Sequence, residues 1–375
     1  MISFRSTEEE AAFVEVAKHF AIENIRTKAR VYEEQGRIED DLMDELKNLG
    51  FLGLELPEDW GGLHLPLLSQ VQIESALAYG DLDAVQGVRD NGDVKSLIRI
   101  AGKNSLIQQY KAELQNSPLA FIDQEKDWKT SLTIEVNDNQ YMLDGTTIPV
   151  RLAKYANFFV LYTLLPNEQP ALFLIENEKA DVLEGDYRRG LLAIGIGSLQ
   201  FQQAALSHEN VLAIGDEAEQ LVKQLRTRIW IIQAARQVGL MEAALDYATE
   251  YTAGRKAFGQ EIAKFQGVSF RIASMSLETR IAHHLVWHAA WKADQNVDNG
   301  YGAAMRALYR AHRSLRYVTD SAVQLLGGHG YVQEYPVEKW MRDAQAQVVL
   351  YGREQDLLNQ WGEQIISSNE EVMFS

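Results

Sequence analysis

The strongest constraint on the fold is a block of short predicted strands that lies between two long helical regions. Residues 131–136 alternate polar and apolar side chains, and residues 137–139 are turn formers that precede a second run at 141–143. Three more short apolar runs follow between Pro, Asn, Asp and Gly residues, at 158–165, 171–175 and 199–206. The pattern predicts a small antiparallel β domain, a barrel or a sandwich, over residues 116–222.

The flanking regions have helical periodicity. Phe13, Ala17 and Phe20 recur at helical spacing after Thr7, which is a candidate N-cap. Residues 229–251 contain one Gly and no Pro, which favours a long buried helix. At 375 residues the chain exceeds the roughly 250–300 residues that one hydrophobic core serves. We therefore predict an α+β protein with an N-terminal all-α domain (1–115), the β domain (116–222) and a C-terminal helical bundle (223–375).

The charge balance excludes two classes of partner. The chain carries 36 Lys and Arg against 53 Asp and Glu, a net charge of −17. Without a basic cluster, neither nucleic acid nor an anionic membrane surface is an expected partner. The first residues lack a signal-peptide core and no apolar run is long enough to span a bilayer, so we expect a cytoplasmic protein. There is no cysteine, so thiolate chemistry and disulfides are excluded.

Metal binding is not predicted either. Of the clustered histidines, only His284 and His288 share a helical face, and no acidic residue falls at matching spacing. Two other segments could hold a ligand. Arg255 could bind a phosphate while Phe258 stacks on a planar ring. Gly327 and Gly328 could let a ligand approach the backbone. Taken alone, the Arg255 segment is more typical of a helix–helix turn, and the glycine segment is more typical of a helix C-cap.

The segments become specific in combination. In chain order, the motifs are Pro57-Glu-Asp-Trp-Gly-Gly62, Tyr141-Met-Leu-Asp-Gly-Thr146, Gly239-Leu-Met-Glu-Ala-Ala-Leu-Asp246, Arg255 through Gln266, Gln324 through Tyr331, and Glu334-Tyr-Pro-Val-Glu338 with Met341-Arg-Asp343. In order and spacing, the chain resembles the acyl-CoA dehydrogenase flavoprotein family over nearly its full length.

The resemblance implies a fold and a reaction. Family members remove the α-proton of an acyl thioester with a carboxylate while the β-hydrogen leaves as hydride to FAD. They are usually tetramers, in which two segments of one subunit hold the ADP half of the neighbouring subunit's FAD. The residues that match those segments are Arg255, Phe258, Gln260, Gln324, Gly327 and Gly328.

The departures from the family pattern concern the chemistry. The family's late Y-E-G-T segment, which carries the catalytic Glu, reads Tyr351-Gly-Arg-Glu354 here, so Gly352 stands at the base position. Some family members carry the catalytic Glu on the helix just before the segment that matches Gly239-Leu-Met241. That position falls near Ile229 here, where no residue is acidic. The segment that contacts flavin and acyl chain is reduced to residues 123–128, and the flavin-facing W-I-T becomes residues 148–150 or a nearby triplet.

Three functions are compatible with these losses. The first is a base-deficient subunit that pairs with a homologous, catalytically complete subunit in a mixed oligomer and shares FAD with it. The second is a self-sufficient FAD enzyme acting on an acyl thioester, alone or as a homo-oligomer, with Glu354 as the base. The third is a non-catalytic binding or scaffold protein.

Overall fold

The computed structural model describes residues 7–89, 93–124, 131–137, 140–185, 188–296 and 300–367. As predicted, Thr7 caps the first helix: its hydroxyl accepts the Glu10 backbone N–H at 3.2 Å, and the Glu10 carboxylate accepts the Thr7 N–H at 2.8 Å. The helices of the first region are α1 (Glu8–Phe20), α2 (Ala29–Gln35), α3 (Asp40–Asn48), α4 (Leu67–Ala78), α5 (Leu82–Gly87), α6 (Ser96–Ala101), α7 (Ser105–Gln109) and α8 (Lys111–Asn116).

Two four-stranded sheets form the middle region. The strands are β1 (Leu119–Asp123), β2 (Thr133–Asn137), β3 (Gln140–Thr146), β4 (Phe158–Leu164), β5 (Pro170–Glu176), β6 (Asp181–Leu183), β7 (Ser198–Leu206) and β8 (Val211–Ile214). One sheet has the order β1-β4-β5-β8 and the other β2-β3-β7-β6. Each sheet of the described region therefore keeps two edges, and the strands form no closed barrel.

The two sheets share a core and make a sandwich. Phe159 and Phe173 of one sheet pack with Phe201 and Leu206 of the other, and the Tyr141 and Phe173 rings meet edge to face at 5.0 Å. The predicted fold class is confirmed. One detail of the prediction was wrong: β1 pairs parallel with β4, whereas the other pairs within these two sheets are antiparallel. β1 is a buried apolar run without alternation, so its pairing leaves no signal in the sequence.

The C-terminal region is helical. It consists of α9 (Asp216–Gly254), a short hairpin of β9 (Lys256–Ala257) and β10 (Gln260–Glu261), α10 (Gln266–Asp294), α11 (Gly300–Leu326), α12 (Val337–Gln347) and α13 (Glu354–Ser367). Since α9 begins at Asp216, the predicted boundary at residue 222 falls inside its second turn.

Helix α9 is the axis of the molecule, because it packs against α10 and α11 of its own region and against α4 of the first region. Gly239 makes the contact with α4 possible: a Cβ there would lie 2.1 Å from the Ser75 carbonyl oxygen. None of the described helices has the length and apolar content needed to cross a membrane.

Candidate functional site

The candidate site lies between the β domain and the C-terminal bundle, beside the contact that Arg151 makes with the N-terminal region. The segment after β3, the loop between α12 and α13, and the first half of α9 enclose a cavity of about 50 Å³, which we call the inner cavity. Its lining residues are Phe121, Asp123, Ile148, Pro149, Val150, Arg151, Arg226, Ile229, Trp230, Leu350, Tyr351, Gly352, Asp356, Leu357 and Gln360. The structure thus brings together position 352, the 148–150 triplet and Asp123, which the sequence analysis had named separately.

Gly352 faces this cavity with backbone only. Its φ of +135° is a conformation that side-chain-bearing residues rarely adopt, and its carbonyl lies 3.0 Å from Nε2 of His312 on α11. Burial lowers the pKa of His312 to about 4, so the ring is neutral at pH 7 and carries one N–H. Donation from Nε2 holds the Gly352 carbonyl in place.

The other ring nitrogen of His312 must then accept a hydrogen bond. It lies 3.0 Å from the Gln237 side-chain oxygen, while the Gln237 amide nitrogen has no hydrogen-bond partner in the described part of the chain. If the amide O and N of Gln237 are exchanged, the amide N–H donates to Nδ1 of His312, and both nitrogens have a hydrogen-bond partner. The loop at residue 352 is therefore fixed from behind by a buried, neutral imidazole.

Glu354, the predicted alternative base, begins α13 and forms an ion pair with Arg316 of α11. It does not line the inner cavity. Among the described lining residues the carboxylates are Asp123 and Asp356. Asp356 lies in the first turn of α13, and our sequence analysis did not name it.

Each of these carboxylates is bound to an arginine through both oxygens. Asp123 accepts from Nε and Nη2 of Arg226 at 2.8 and 2.5 Å. Asp356 accepts from Nε and Nη2 of Arg353 at 2.7 and 3.0 Å. In such bidentate pairs, both carboxylate oxygens are already engaged. Residues 125–128 of the reduced segment lie outside the described residues.

The triplet at 148–150 lines the cavity, as the sequence analysis implied, but the next residue carries the polar contacts. Arg151 is buried and points towards the N-terminal region, where its Nε donates to the Gln86 carbonyl at 2.7 Å and its guanidinium pairs with Asp93. The Tyr351 hydroxyl donates to Asp93 at 3.2 Å. Burial and the Asp93 charge raise the pKa of Tyr351 far above neutrality, so its phenol is not a base at pH 7.

A second, larger cavity borders the first across Ile148, Pro149 and Leu350. This outer cavity has a volume of about 930 Å³, which lies in the size range of cofactor sites. Its other apolar walls include Leu191, Ile194, Ile196 and Val349, and its arginines are Arg188, Arg189, Arg342 and Arg353. The apolar walls suit a large planar ring system. Because Arg342 already pairs with Glu338 and Arg353 with Asp356, Arg188 and Arg189 are the candidates for contact with phosphate oxygens.

A buried charge cluster holds one wall of the outer cavity. The Lys339 ammonium contacts Asp81 at 2.9 Å and Asp343 at 2.7 Å. Asp343 accepts the Leu191 N–H at 2.7 Å, and Asp83 accepts the Ala193 N–H at 2.9 Å. The loop at 191–194 is thereby tied to α5 and α12.

The six residues matched to the ADP-binding segments lie elsewhere, and none of them lines the inner or outer cavity. Arg255 follows α9 and is exposed, and the Phe258 side chain is 96% exposed at a φ of +52°. Gly327 and Gly328 have open space where a Cβ would stand. These six are Arg255, Phe258, Gln260, Gln324, Gly327 and Gly328.

The two segments lie side by side. The Tyr251 hydroxyl, one turn before Arg255, lies 2.7 Å from Nδ1 of His329, which follows the glycine pair. An exposed cation, an exposed aromatic ring and uncovered glycines therefore share one end of the bundle, outside the linings of the inner and outer cavities.

Comparison with known proteins supports the same family at both ends of the chain. The family model of the acyl-CoA dehydrogenase N-terminal domain matches residues 7–114, and that of the C-terminal domain matches residues 226–366. The chain belongs to the acyl-CoA dehydrogenase family. The predicted family membership is thereby confirmed.

Individual relatives of this family member are distant but match it over nearly its whole length. The benzylmalonyl-CoA dehydrogenase of Aromatoleum aromaticum is 27% identical and covers 91% of this chain and 94% of its own. The butyryl-CoA dehydrogenase structure from Megasphaera elsdenii superposes with a TM-score of 0.87 at 24% identity, over 97% of this chain and 100% of its own. The structure of a glutaryl-CoA dehydrogenase from Mycobacterium smegmatis in complex with FADH2 superposes with a TM-score of 0.84 at 16% identity. The match covers 98% of this chain and 96% of the other.

Proposed function

We propose that the chain is a base-deficient acyl-CoA dehydrogenase subunit that assists the α,β-dehydrogenation of an acyl thioester in a mixed oligomer. Its partner is a homologous subunit that carries the base. One observation supports this assignment most directly: position 352 of the inner cavity is a glycine, and both carboxylates on the described lining are bound to arginines.

The chemistry explains why this observation matters. An isolated thioester α-proton is weakly acidic, so its removal needs a carboxylate with a free oxygen at the α-carbon. Gly352 offers no side chain, and the pKa of Tyr351 is too high for the task. A backbone N–H at position 352 could still polarise the thioester carbonyl, which binds a substrate without turning it over.

FAD is the expected cofactor, since a family relative was solved with its reduced form. When bound, FAD accepts the β-hydrogen as hydride. In this chain, we expect Pro149, Leu350, Arg188 and Arg189 of the outer cavity to contact the flavin half. The exposed residues led by Arg255 and Gln324 would hold the ADP half of the FAD in a neighbouring subunit.

A visible absorption spectrum tests the proposal. Purified alone, the protein should contain less than one FAD per chain, and co-expression with the homologous subunit should restore a full flavin spectrum and acyl-CoA oxidation. Full FAD occupancy with turnover in the isolated chain would refute the partner role. Absence of flavin in both preparations would indicate the scaffold function instead.

A second candidate function has one observation in its favour. Asp356 lines the inner cavity beside Gly352, so a self-sufficient enzyme could use this carboxylate if the Arg353 pair opened. In that case Asp356→Asn should abolish turnover by the isolated chain with FAD retained. Glu354→Gln is the matched control, because Glu354 lies outside the cavity. If Glu354→Gln instead abolishes turnover, Glu354 is the base, as the sequence alone suggested.

A further inference from the structure

The inner cavity is closed on the side of the N-terminal region. Arg151 and Tyr351 form this wall, which we call the floor, and both contact Asp93 behind it. Arg151 also donates to the backbone carbonyls of Gln86 and Val88 at 2.7 and 3.4 Å. The floor therefore ties the β domain and the loop after α12 to the N-terminal domain.

The floor is backed by further buried charges. Arg236 of α9 pairs with Glu74 at 2.8 Å and with Asp93 at 3.1 Å. Gln233 donates to Asp93 at 3.1 Å, and Gln347 donates to Gln233 at 2.9 Å. These charged and amide side chains are buried, and the two guanidinium groups balance the two carboxylates.

Such a wall does not yield to an apolar chain. Moving Arg151 aside would leave Asp93 with one guanidinium fewer, and stranding buried charge is strongly unfavourable. An alkyl chain that entered would also face groups whose hydrogen bonds it could not replace. The floor is consequently a fixed end to the cavity.

The volume then limits what fits. A water-sized group needs about 10–15 Å³ of such space, so the cavity of about 50 Å³ holds about three to five non-hydrogen atoms. An acetyl group has three such atoms, a butyryl group five and an octanoyl group nine. We propose that the floor formed by Arg151 and Tyr351 restricts the acyl group of the bound thioester to about four carbons.

The inference rests on the proposed placement of the acyl group in the inner cavity. The chain-length limit is tested by measuring thioester affinity, whereas the partner role is tested by measuring flavin occupancy. Either proposal can therefore fail without the other.

Calorimetry tests the proposed four-carbon limit. The FAD-loaded protein, or its complex with the homologous subunit, is titrated with acetyl-, butyryl-, hexanoyl- and octanoyl-CoA. Each buried methylene would otherwise tighten binding roughly fourfold. We expect affinity to stop rising at butyryl-CoA and octanoyl-CoA to bind at least tenfold more weakly. A continuous rise to octanoyl-CoA, or no binding of any member, would overturn the proposal.

A charge-balanced variant identifies the floor as the cause. Arg151→Ala with Asp93→Ala removes one cation and one anion, and octanoyl-CoA should then bind at least as tightly as butyryl-CoA. Tyr351→Ala opens the floor without removing a charge and should shift the limit in the same direction if the double variant does not fold. An unchanged preference in a folded Tyr351→Ala protein counts against the floor.

The matched control deletes an ion pair elsewhere. Arg310 and Glu278 link α11 to α10 away from the cavity. Arg310→Ala with Glu278→Ala should leave the acyl-chain preference as in the wild type. If this control shifts the preference as far as the floor variant does, the limit has another origin.

Discussion

At the scale of single residues, both backbone geometry and side-chain chemistry distinguish Gly352 from the glutamate that the family pattern has at this position. Glycine has no side chain that could act as a base, and it permits a φ of +135°. A Cβ at this position would lie 3.3 Å from a methyl group of Leu357, so a larger residue meets both backbone strain and a close contact.

Restoring the family residue should therefore fail. We expect Gly352→Glu to lack acyl-CoA oxidation when purified alone, because the flavin-facing residues are still missing, and to lose about 1–3 kcal/mol of unfolding free energy through strain. An artificial electron acceptor assay and a denaturant titration measure the two effects. Gly352→Ala separates strain from the added carboxylate, and vigorous oxidation by Gly352→Glu alone would contradict the prediction.

Arg255 is the residue through which the chain is expected to reach a neighbour's cofactor. Loss of a charged hydrogen bond to a pyrophosphate should weaken FAD binding in the complex by about 1.5–3 kcal/mol in Arg255→Ala. The fold should be intact, because this side chain is exposed. Flavin fluorescence titration of the complex measures the affinity.

The control for Arg255 is its neighbour. The Lys256 side chain is 73% exposed and pairs only at 3.8 Å with Glu261, so Lys256→Ala should leave FAD affinity unchanged. Equal affinities of the Arg255→Ala and wild-type complexes would return Arg255 to the role of a surface charge.

At the scale of elements, α11 holds the loop between α12 and α13 through the hydrogen bond from His312 to the Gly352 carbonyl. His312 is buried, and its pKa falls from 6.5 to about 4 in the folded chain. Below pH 6.5 the unfolded chain takes up this proton and the folded chain does not, so acid favours unfolding.

The size of this pH effect can be measured. Between pH 7 and pH 5, His312 should remove about 2 kcal/mol of unfolding free energy. His312→Gln keeps a donor for the Gly352 carbonyl but does not titrate, so its stability should fall less over the same interval. Urea titrations at both pH values compare the two proteins, and equal losses would show that His312 is not the group responsible.

At the scale of the whole molecule, the C-terminal bundle leaves apolar groups uncovered. Phe258, Phe270, Leu277 and Tyr331 have exposures of 96%, 65%, 60% and 87%. Large apolar side chains exposed to this extent mark interaction surfaces. The single chain is therefore not the expected state in solution.

Light scattering at micromolar concentration tests the assembly. We expect a dimer or larger species for the chain alone or with its homologous partner, because the exposed apolar side chains need covering. The buffer should be kept near 0.15 M salt, since the net charge of −17 weakens association at low ionic strength. A single species of 42.4 kDa in both preparations would contradict the prediction.

The sequence alone was enough to predict the order of helical and strand regions and the family, and it shows a glycine at position 352, because periodicity and motifs are local properties of the chain. It did not determine which side chains converge in the cavity. Tyr351 and Asp93 are 258 residues apart, and Arg151 reaches Asp93 from another domain. Only the packing of three domains around α9 brings these groups together, which is why Tyr351, Arg151 and Asp356 line the cavity and Glu354 does not.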